Sequence, residues 1–358
     1  MKYGLLVTSP INNYKNIGDY VQSLAAKQYL KEEYCFVEKE TVSKFESDEP
    51  VKVLMNAWYM WHPEHWPPNP CIKPLLTSIH ISPLTAKEML ANGGKEYFIK
   101  YGPVGCRDLD TKKILDEANI PCFFSGCLTL TLGESYRYEG KRDGYYFVDP
   151  YIPPVRYEVD GKSVFYPRNI IRGLWYALKN LKKVKKLVGN HNYFKGRYKL
   201  QTYYNAAMFY ESYSTKFSDD VIFKAHYLTH MVSVTTHDDN ERLLERAEKL
   251  VKMYAKAKLV VTSRIHCGLP CLGLETPVLF VLNKEMESKK NMFNAPGRFG
   301  GLLNFFNVMH FNKDSLYSRE GDFACDGKIG DDVKVKNKDS WKSYRDALVK
   351  SVREFIND

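Results

Sequence analysis

An arginine and a histidine separated by one residue, Arg264 and His266, are the side chains of this sequence best suited to chemistry. They follow a branched apolar run, Lys258 to Thr262, of the kind that forms a strand buried on both faces of a parallel sheet. A helix rich in small residues is predicted next. Ligands of open α/β sheets bind where such a strand ends, against helix N-terminal amides that favour anions. A guanidinium beside an imidazole there predicts a site for phosphate or carboxylate.

Both residues also have a purely structural interpretation. Arg264 could pair with a nearby acid, and His266 could be a hydrogen-bonded histidine beneath the helix. Their occurrence together, between a buried strand and a small-residue helix, favours a binding site.

The same segment resembles a known family. Ser263-Arg264-Ile265-His266, followed by Gly268, Pro270 and Glu275-Thr276-Pro277-Val278, resembles the C-terminal signature of the polysaccharide pyruvyl transferases. The usual core is Ser-Arg-Leu-His, so Ile265 is a mild departure. The resemblance implies that the enolpyruvyl unit of phosphoenolpyruvate is transferred to a sugar diol as a cyclic ketal, in bacterial capsule or exopolysaccharide synthesis. It implies that Ser263, Arg264, Ile265 and His266 hold this donor, with His266 as proton donor.

A second stretch with functional residues opens the chain. A strand from Lys2 to Ser9 is followed by Asn16-Ile17-Gly18-Asp19 and a predicted helix from Tyr20 to Lys31. From the residues alone, Asp19 caps this helix. The family is similar here, with a strand and an Asn-x-Gly-Asp loop, which implies that Asp19 binds the acceptor or acts as the base.

Further candidates stand at predicted strand ends of the N-terminal half. Asn56 and Trp58 lie near the end of a strand from Val51 to Trp61, where the indole could stack on a sugar, and His80 ends another strand. We assign these three residues to the acceptor.

Arg107 lies in an Arg-Asp turn that also resembles the family, and we assign it to the donor. Local pairing of Arg107 with Asp108 or Asp110 is the alternative. The resemblance implies another donor-binding arginine after the first strand of the second half. This chain has Asp149-Pro150 there, so that arginine stays unassigned.

The elements that must position these residues alternate between strands and helices, which predicts doubly wound parallel sheets. We expect an α/β fold with two Rossmann-like domains facing a cleft, which is a GT-B-like arrangement. The predicted bounds are 1–135 for the acceptor-side domain, 136–335 for the donor domain and 336–358 for a C-terminal helix that crosses back. Single helices are predicted over Glu88 to Lys100 and over the basic stretch 168–199, and Tyr198 to Met231 reads as irregular.

Composition narrows the class of protein. The 358 residues are 44% hydrophobic and 26% charged, as in soluble globular proteins, and no apolar run approaches the roughly 18 residues of a membrane span. Without a recognisable signal peptide, we expect a cytoplasmic protein with eight reduced cysteines. The cysteine spacing lacks the C-x2-C pairs of zinc sites. We expect no metal and no cofactor, with phosphoenolpyruvate as donor substrate only.

The net charge of +10 indicates an anionic partner. Residues 168–199 contain ten Lys or Arg residues and no acid. The apolar residues of this stretch recur at helical spacing: Ile171, Trp175, Leu178, Leu181, Val184 and Val188. Either this helix packs on its own domain with a solvated basic face, or it contacts the anionic inner-membrane surface, where an undecaprenyl-diphosphate-linked sugar acceptor would lie. Nucleic acid is not expected, because no recognition module accompanies the charge.

Two other functions stay open. A sugar-nucleotide glycosyltransferase with a GT-B fold could use the same Arg-His site, with Glu275 near the donor ribose. A non-catalytic module that binds lipid-linked saccharide would also explain the basic charge.

Overall fold

The computed structural model describes residues 2–9, 14–30, 33–59, 61–153, 156–159, 162–165, 167–235, 238–283, 299–312, 315–318, 323–325 and 327–358. Over these residues the protein is α/β, as predicted. No helix within these ranges has both the length and the apolar character needed to cross a membrane. All eight cysteines are free thiols.

The N-terminal half is built on parallel strand pairs. Its strands are β1 (Lys2–Val7), β2 (Tyr14–Asn16), β3 (Tyr34–Glu38), β4 (Val51–Leu54), β5 (Trp58–Tyr59), β6 (Ile72–Leu75), β7 (His80–Ile81), β8 (Val104–Cys106) and β9 (Cys122–Phe124). A four-stranded parallel sheet has the order β3-β1-β4-β6, while β5 pairs with β7 and β8 with β9. The amide of Gly105 donates to the carbonyl of Leu76, so β8 continues alongside the end of β6.

Five helices cover these strands: α1 (Ile17–Lys27), α2 (Ala86–Met89), α3 (Gly94–Tyr101), α4 (Leu109–Glu117) and α5 (Gly133–Tyr136). The single helix predicted over Glu88 to Lys100 is wrong. Asn92 and Gly93 adopt positive φ angles of 49° and 88°, which end one helix and start another. The long strand predicted from Val51 to Trp61 is likewise broken, into β4 and β5.

The second half contains a six-stranded sheet with the order β13-β10-β15-β16-β17-β18. The strands of this half are β10 (Tyr145–Val148), β11 (Arg156–Val159), β12 (Lys162–Phe165), β13 (His226–Leu228), β14 (Met231–Ser233), β15 (Leu259–Thr262), β16 (Val278–Asn283), β17 (Asn307–Asn312) and β18 (Ser315–Tyr317). All pairs in the sheet are parallel except β17 with β18. Val260, Val261 and Phe280 are fully or almost fully buried, as both-face burial of central strands requires.

The helices of the second half correct two predictions. They are α6 (Pro167–Lys179), α7 (Leu181–Asn190), α8 (Lys199–Tyr213), α9 (Asp219–Lys224), α10 (Asn240–Lys256), α11 (Ile265–Gly273) and α12 (Lys342–Asn357). The basic stretch is two helices, because Asn180 leaves helical geometry with ψ of 31°. The aromatic stretch after Tyr198 is helical rather than irregular. The buried side chains of α8 leave almost no polar face, and this hides the helical period from the sequence.

The two halves share contacts and a common core. Strand β2 pairs antiparallel with β14, and α1 packs against α10. The hydroxyl of Tyr3 donates to the carbonyl of Ile356 at 3.3 Å, which places the C-terminal helix α12 against the first sheet. The division into two domains at the predicted bounds, and the GT-B-like arrangement, stay predictions.

Candidate functional site

The predicted strand–helix segment around Arg264 is present as β15, a two-residue turn and α11. Arg264 is the N-cap residue of α11, and its amide donates to Oγ1 of Thr262 at 3.0 Å. Ser263 accepts from the amide of Tyr151 at 3.1 Å, while Ile265 and His266 are buried. The turn therefore presents the guanidinium at the carboxyl end of the central strand, with His266 in the first turn of the helix.

Arg264 forms an ion pair with Asp149, which directly follows the neighbouring strand β10. Its Nε lies 3.0 Å from Oδ2 of Asp149, and the arginine side chain is 44% exposed. Asp149 adopts φ of 41°, and its Oδ2 also accepts from the amide of His230 at 2.9 Å. Asp149 occupies the place where the resemblance led us to expect an arginine. Here a carboxylate orients the arginine instead.

His230, to which sequence reasoning gave no role, connects both halves at this point. Its carbonyl accepts from the amide of Ile17 at 2.8 Å, and its Nε2 lies 2.9 Å from the hydroxyl of Tyr254. The histidine is 1% exposed. It therefore fixes the amino end of α1 against Asp149 and Arg264, and we call Arg264, Asp149, His230 and His266 the Arg264 cluster.

Gly18 explains how the two helices come together. A Cβ at Gly18 would lie 2.9 Å from Nδ1 of His230 and 3.0 Å from Cβ of His266. Only glycine therefore lets the first turn of α1 reach the first turn of α11. The amino end of a helix carries partial positive charge, so two converging ends make a favourable place for an anion. At α1 the amides of Ile17 and Gly18 are already paired, with the His230 carbonyl and with Oδ1 of Asn16.

Lys15 and Asp19 flank this approach on the N-terminal side. Burial lowers the pKa of Lys15 to about 8, although the charges of Asp19 and Glu38 act in the opposite direction. Its Nζ has no hydrogen-bond partner among the described residues. Sequence reasoning missed Lys15, because a single lysine in a loop has no signal until the fold buries it. An amine with a pKa of about 8 is still mostly protonated at neutral pH, but it can give up its proton far more readily than an ordinary lysine.

The predicted acceptor residues divide between two places. Asn56 lines a small pocket together with Asp19, Gln22 and Lys39, and it donates to the carbonyl of Gln22 at 3.0 Å. Trp58 follows this pocket on β5, and its backbone carbonyl accepts from Nζ of Lys39. Asn56 and Asp19 thus lie together at this pocket, and their assignment to the acceptor stays a prediction.

His80 and Arg107 lie instead in a buried group of charges. Nδ1 of His80 is 2.5 Å from Oδ2 of Asp108, and Nε of Arg107 is 3.5 Å from the same oxygen. Asp108 caps α4 through the amide and hydroxyl of Thr111, and all four side chains are at most 1% exposed. We call these four residues the Arg107 cluster. Burial opposes ionisation of Asp108, but His80 and Arg107 lower its pKa overall. Arg107 thus makes the local contact with Asp108, but its three guanidinium nitrogens have no hydrogen-bond partner among the described residues. Its assignment to the donor stays a prediction.

One group of side chains in the described part of the chain could hold a metal ion. The ligand atoms of His62, Glu64 and His65 lie within 4.8 Å of one another on the surface. Nδ1 of His62 is 2.9 Å from the Glu64 carboxylate, so a hydrogen bond within the group accounts for this arrangement. The absence of a catalytic metal stays a prediction.

The fold and the Arg264 cluster define an α/β protein with an arginine and two histidines between converging helix ends. The chain belongs to the polysaccharide pyruvyl transferase family, whose sequence model matches residues 16–285. This range includes both the Asn-x-Gly-Asp loop and the Ser-Arg-Ile-His segment, and it confirms the family that those segments predicted. Membership implies a transferase with polysaccharide pyruvyl transferase activity in general. No curated protein and no solved structure matches the chain.

Proposed function

We propose that the protein transfers the enolpyruvyl unit of phosphoenolpyruvate to two hydroxyls of a sugar as a cyclic ketal. The acceptor in this proposal is an undecaprenyl-diphosphate-linked hexose of capsule or exopolysaccharide synthesis, handled in the cytoplasm. The observation that carries the proposal is the convergence of α1 and α11 at Gly18, which brings the Arg264 cluster next to Asp19 and Lys15.

The donor carries a phosphate and a carboxylate, so its site needs fixed positive charge. Arg264 is half-exposed and oriented by Asp149, which leaves guanidinium donors for one of the two anionic groups. The amides at the amino end of α11 complement the other group. Ser263 and Ile265 shape the turn, and His266 faces the phosphate in this arrangement.

The reaction needs one proton delivered and two removed. Protonation of the methylene carbon creates an oxocarbenium-like centre, and one sugar hydroxyl forms a bond to it while losing its proton. The C–O bond to phosphate then breaks, the second hydroxyl closes the ring, and the phosphate leaves with the remaining proton. His266 is the proposed acid. Asp19 is the proposed base, and Lys15 beside it relays protons because its pKa is about 8.

The experiment that tests the proposal mixes purified protein, phosphoenolpyruvate and aryl-tagged hexose acceptors. Mass spectrometry should detect an added pyruvyl ketal, with an equal amount of released phosphate. Absence of product on every acceptor, together with no thermal shift by phosphoenolpyruvate, would contradict the proposal.

The sugar-nucleotide alternative receives less support. Glu275, its candidate ribose ligand, forms an ion pair with Arg137 at 3.0 Å and lies 3.9 Å from Arg345. That carboxylate is therefore already occupied. A thermal shift by a nucleoside diphosphate but not by phosphoenolpyruvate would restore this alternative.

A further inference from the structure

Helix α6 turns its small side chains towards the protein interior and its large apolar side chains towards solvent, which is the opposite of a usual amphipathic helix. Gly173 and Ala177 are its buried residues, and a Cβ at Gly173 would lie 2.5 Å from the ring of Tyr204 on α8. The large apolar side chains point to solvent instead: Ile171 is 70% exposed, Trp175 59% and Leu178 72%. Over α6 these apolar side chains therefore do not pack on the protein itself, which was the first of the two interpretations, whereas Val184 on α7 does.

These exposed side chains form one face. Ile171, Trp175 and Leu178 are four and three residues apart, which places them along one side of a helix. Leu181 extends the apolar area at the start of α7 with 37% exposure. Isolated exposed apolar residues are ordinary, whereas a contiguous row on one helix marks an interaction surface.

The border of this face is basic. Lys182, Lys185 and Lys186 are exposed on α7, and Nζ of Lys179 lies 5.1 Å from the ring centre of Trp175. The sequence from 167 to 199 contains no acidic residue. We call Ile171, Trp175, Leu178, Leu181 and these four lysines the α6–α7 surface.

We propose that the α6–α7 surface docks in the plane of an anionic lipid bilayer. Ile171, Trp175 and Leu178 enter the boundary between headgroups and acyl chains, and the lysines contact lipid phosphates. A large apolar face, an indole and a lysine-rich border together are the features of interfacial helices. A protein partner would need acidic groups around an apolar groove, whereas a bilayer offers both properties over any area.

The surface connects directly with the Arg264 cluster. Helix α7 ends at Asn190, and Tyr193 follows within three residues. The ring centre of Tyr193 lies 5.8 Å from that of Tyr227, and the carbonyl of the next residue, Leu228, accepts from the amide of Asp149 at 3.0 Å. Docking would therefore bring the cluster towards the membrane. A docked protein would meet a lipid-linked sugar close to the Arg264 cluster. This purpose of docking rests on the proposed function, whereas the docking itself does not.

The test is co-sedimentation of the full chain with vesicles of phosphatidylcholine, with and without phosphatidylglycerol. We expect binding only to the anionic vesicles and weaker binding as salt rises. Replacing all of Ile171, Trp175 and Leu178 by serine should reduce partitioning by more than tenfold. Reversing Lys182, Lys185 and Lys186 to glutamate should do the same, because each lysine near an anionic surface contributes roughly fivefold.

The matched control is Leu84→Ser, since Leu84 is 65% exposed in the N-terminal half. This control should bind vesicles as strongly as the unmodified protein does. All variants should have the melting temperature of the unmodified protein, because the changed side chains are exposed. Equal binding to both vesicle types, no binding, or unchanged binding by the serine variant would overturn the proposal. A dimer in light scattering that the serine variant dissociates would also overturn it, since the face would then join two copies.

The proposed membrane docking and the proposed pyruvyl transfer can be rejected independently of each other. Pyruvyl transfer to a soluble tagged acceptor should be unchanged in the serine variant. Vesicle binding without any pyruvyl transfer would reject the proposed function and leave the docking intact.

Discussion

Among the residues that the structure describes, two arginine–aspartate pairs lie at strand ends, and they differ in what surrounds them. In the Arg107 cluster the Nε–Oδ2 distance is 3.5 Å and both side chains are fully buried. In the Arg264 cluster the distance is 3.0 Å and the arginine is 44% exposed. Each pair has a histidine beside it. A residue pattern common to both therefore stands in two environments, because solvent reaches Arg264 and does not reach Arg107. The proposed donor-binding role of Arg264 depends on that exposure.

The largest expected effect concerns the buried pair. Asp108→Asn would leave Arg107 and the buried His80 without their counter-charge, which should lower the free energy of unfolding by about 3–5 kcal/mol. Chemical denaturation measures this loss. Asp116→Asn on the same helix is the control, since its pair with Lys112 is exposed and contributes little. A loss for Asp108→Asn as small as that of the control would show that the buried Arg107 cluster does not contribute to stability more than an exposed pair.

Removal of the exposed arginine should affect catalysis rather than stability. We expect Arg264→Ala to reduce kcat/KM for phosphoenolpyruvate by about a hundredfold or more, the usual cost of losing a group that binds developing charge. The free energy of unfolding should change by less than about 1 kcal/mol, because the pair is partly exposed.

Arg242→Ala, on the first turn of α10, is the control for a surface arginine. Unchanged turnover and donor affinity in Arg264→Ala would show that Arg264 only pairs with Asp149.

Gly18→Ala tests the close approach of α1 and α11. The added methyl group would push against His230 and His266, so we expect a stability loss of about 1–3 kcal/mol and reduced turnover. Gly189→Ala on α7 is the control, because a Cβ there meets nothing within 4 Å. That helix should become slightly more stable. Equal stability and equal turnover in both variants would show that the close approach of the two helix ends is needed for neither.

The smallest expected effect on stability concerns Lys15, where one substitution should raise stability and lower turnover. Since burial lowers its pKa from 10.5 to about 8, the charged form destabilises the folded protein at neutral pH. Lys15→Met should therefore raise the free energy of unfolding at pH 7 by about 1 kcal/mol. The folded protein releases the proton before the unfolded chain does, so the advantage should shrink as pH rises from about 8 to 10.5.

Turnover should fall in the same variant, and thermal melts across this pH range provide the measurement. Lys87→Met, on helix α2, is the control. A stability gain of Lys15→Met that grows as pH rises would contradict a lowered pKa of the buried Lys15 amine.

The sequence was informative where local pattern and tertiary environment agree. Runs such as Leu259 to Thr262 are apolar throughout, so their position in the middle of a sheet follows from composition alone. The caps of α4 and α10 are also local, because Asp108 and Asp239 accept from amides three residues later. Breaks at Gly93 and Asn180 were missed, since a single residue with unusual backbone angles leaves the helical period almost intact.

By itself, the sequence determined the α/β class, the family and the strand–turn–helix that carries Arg264 and His266. Only the tertiary structure decided which polar residues meet. His230, Asp149 and Gly18 are far apart in the chain and become neighbours because β10 ends where β14 and α1 begin. Tertiary packing also decided which face of α6 is buried. Helical periodicity shows that residues share a face, whereas contact with Tyr204 determines which face turns inward.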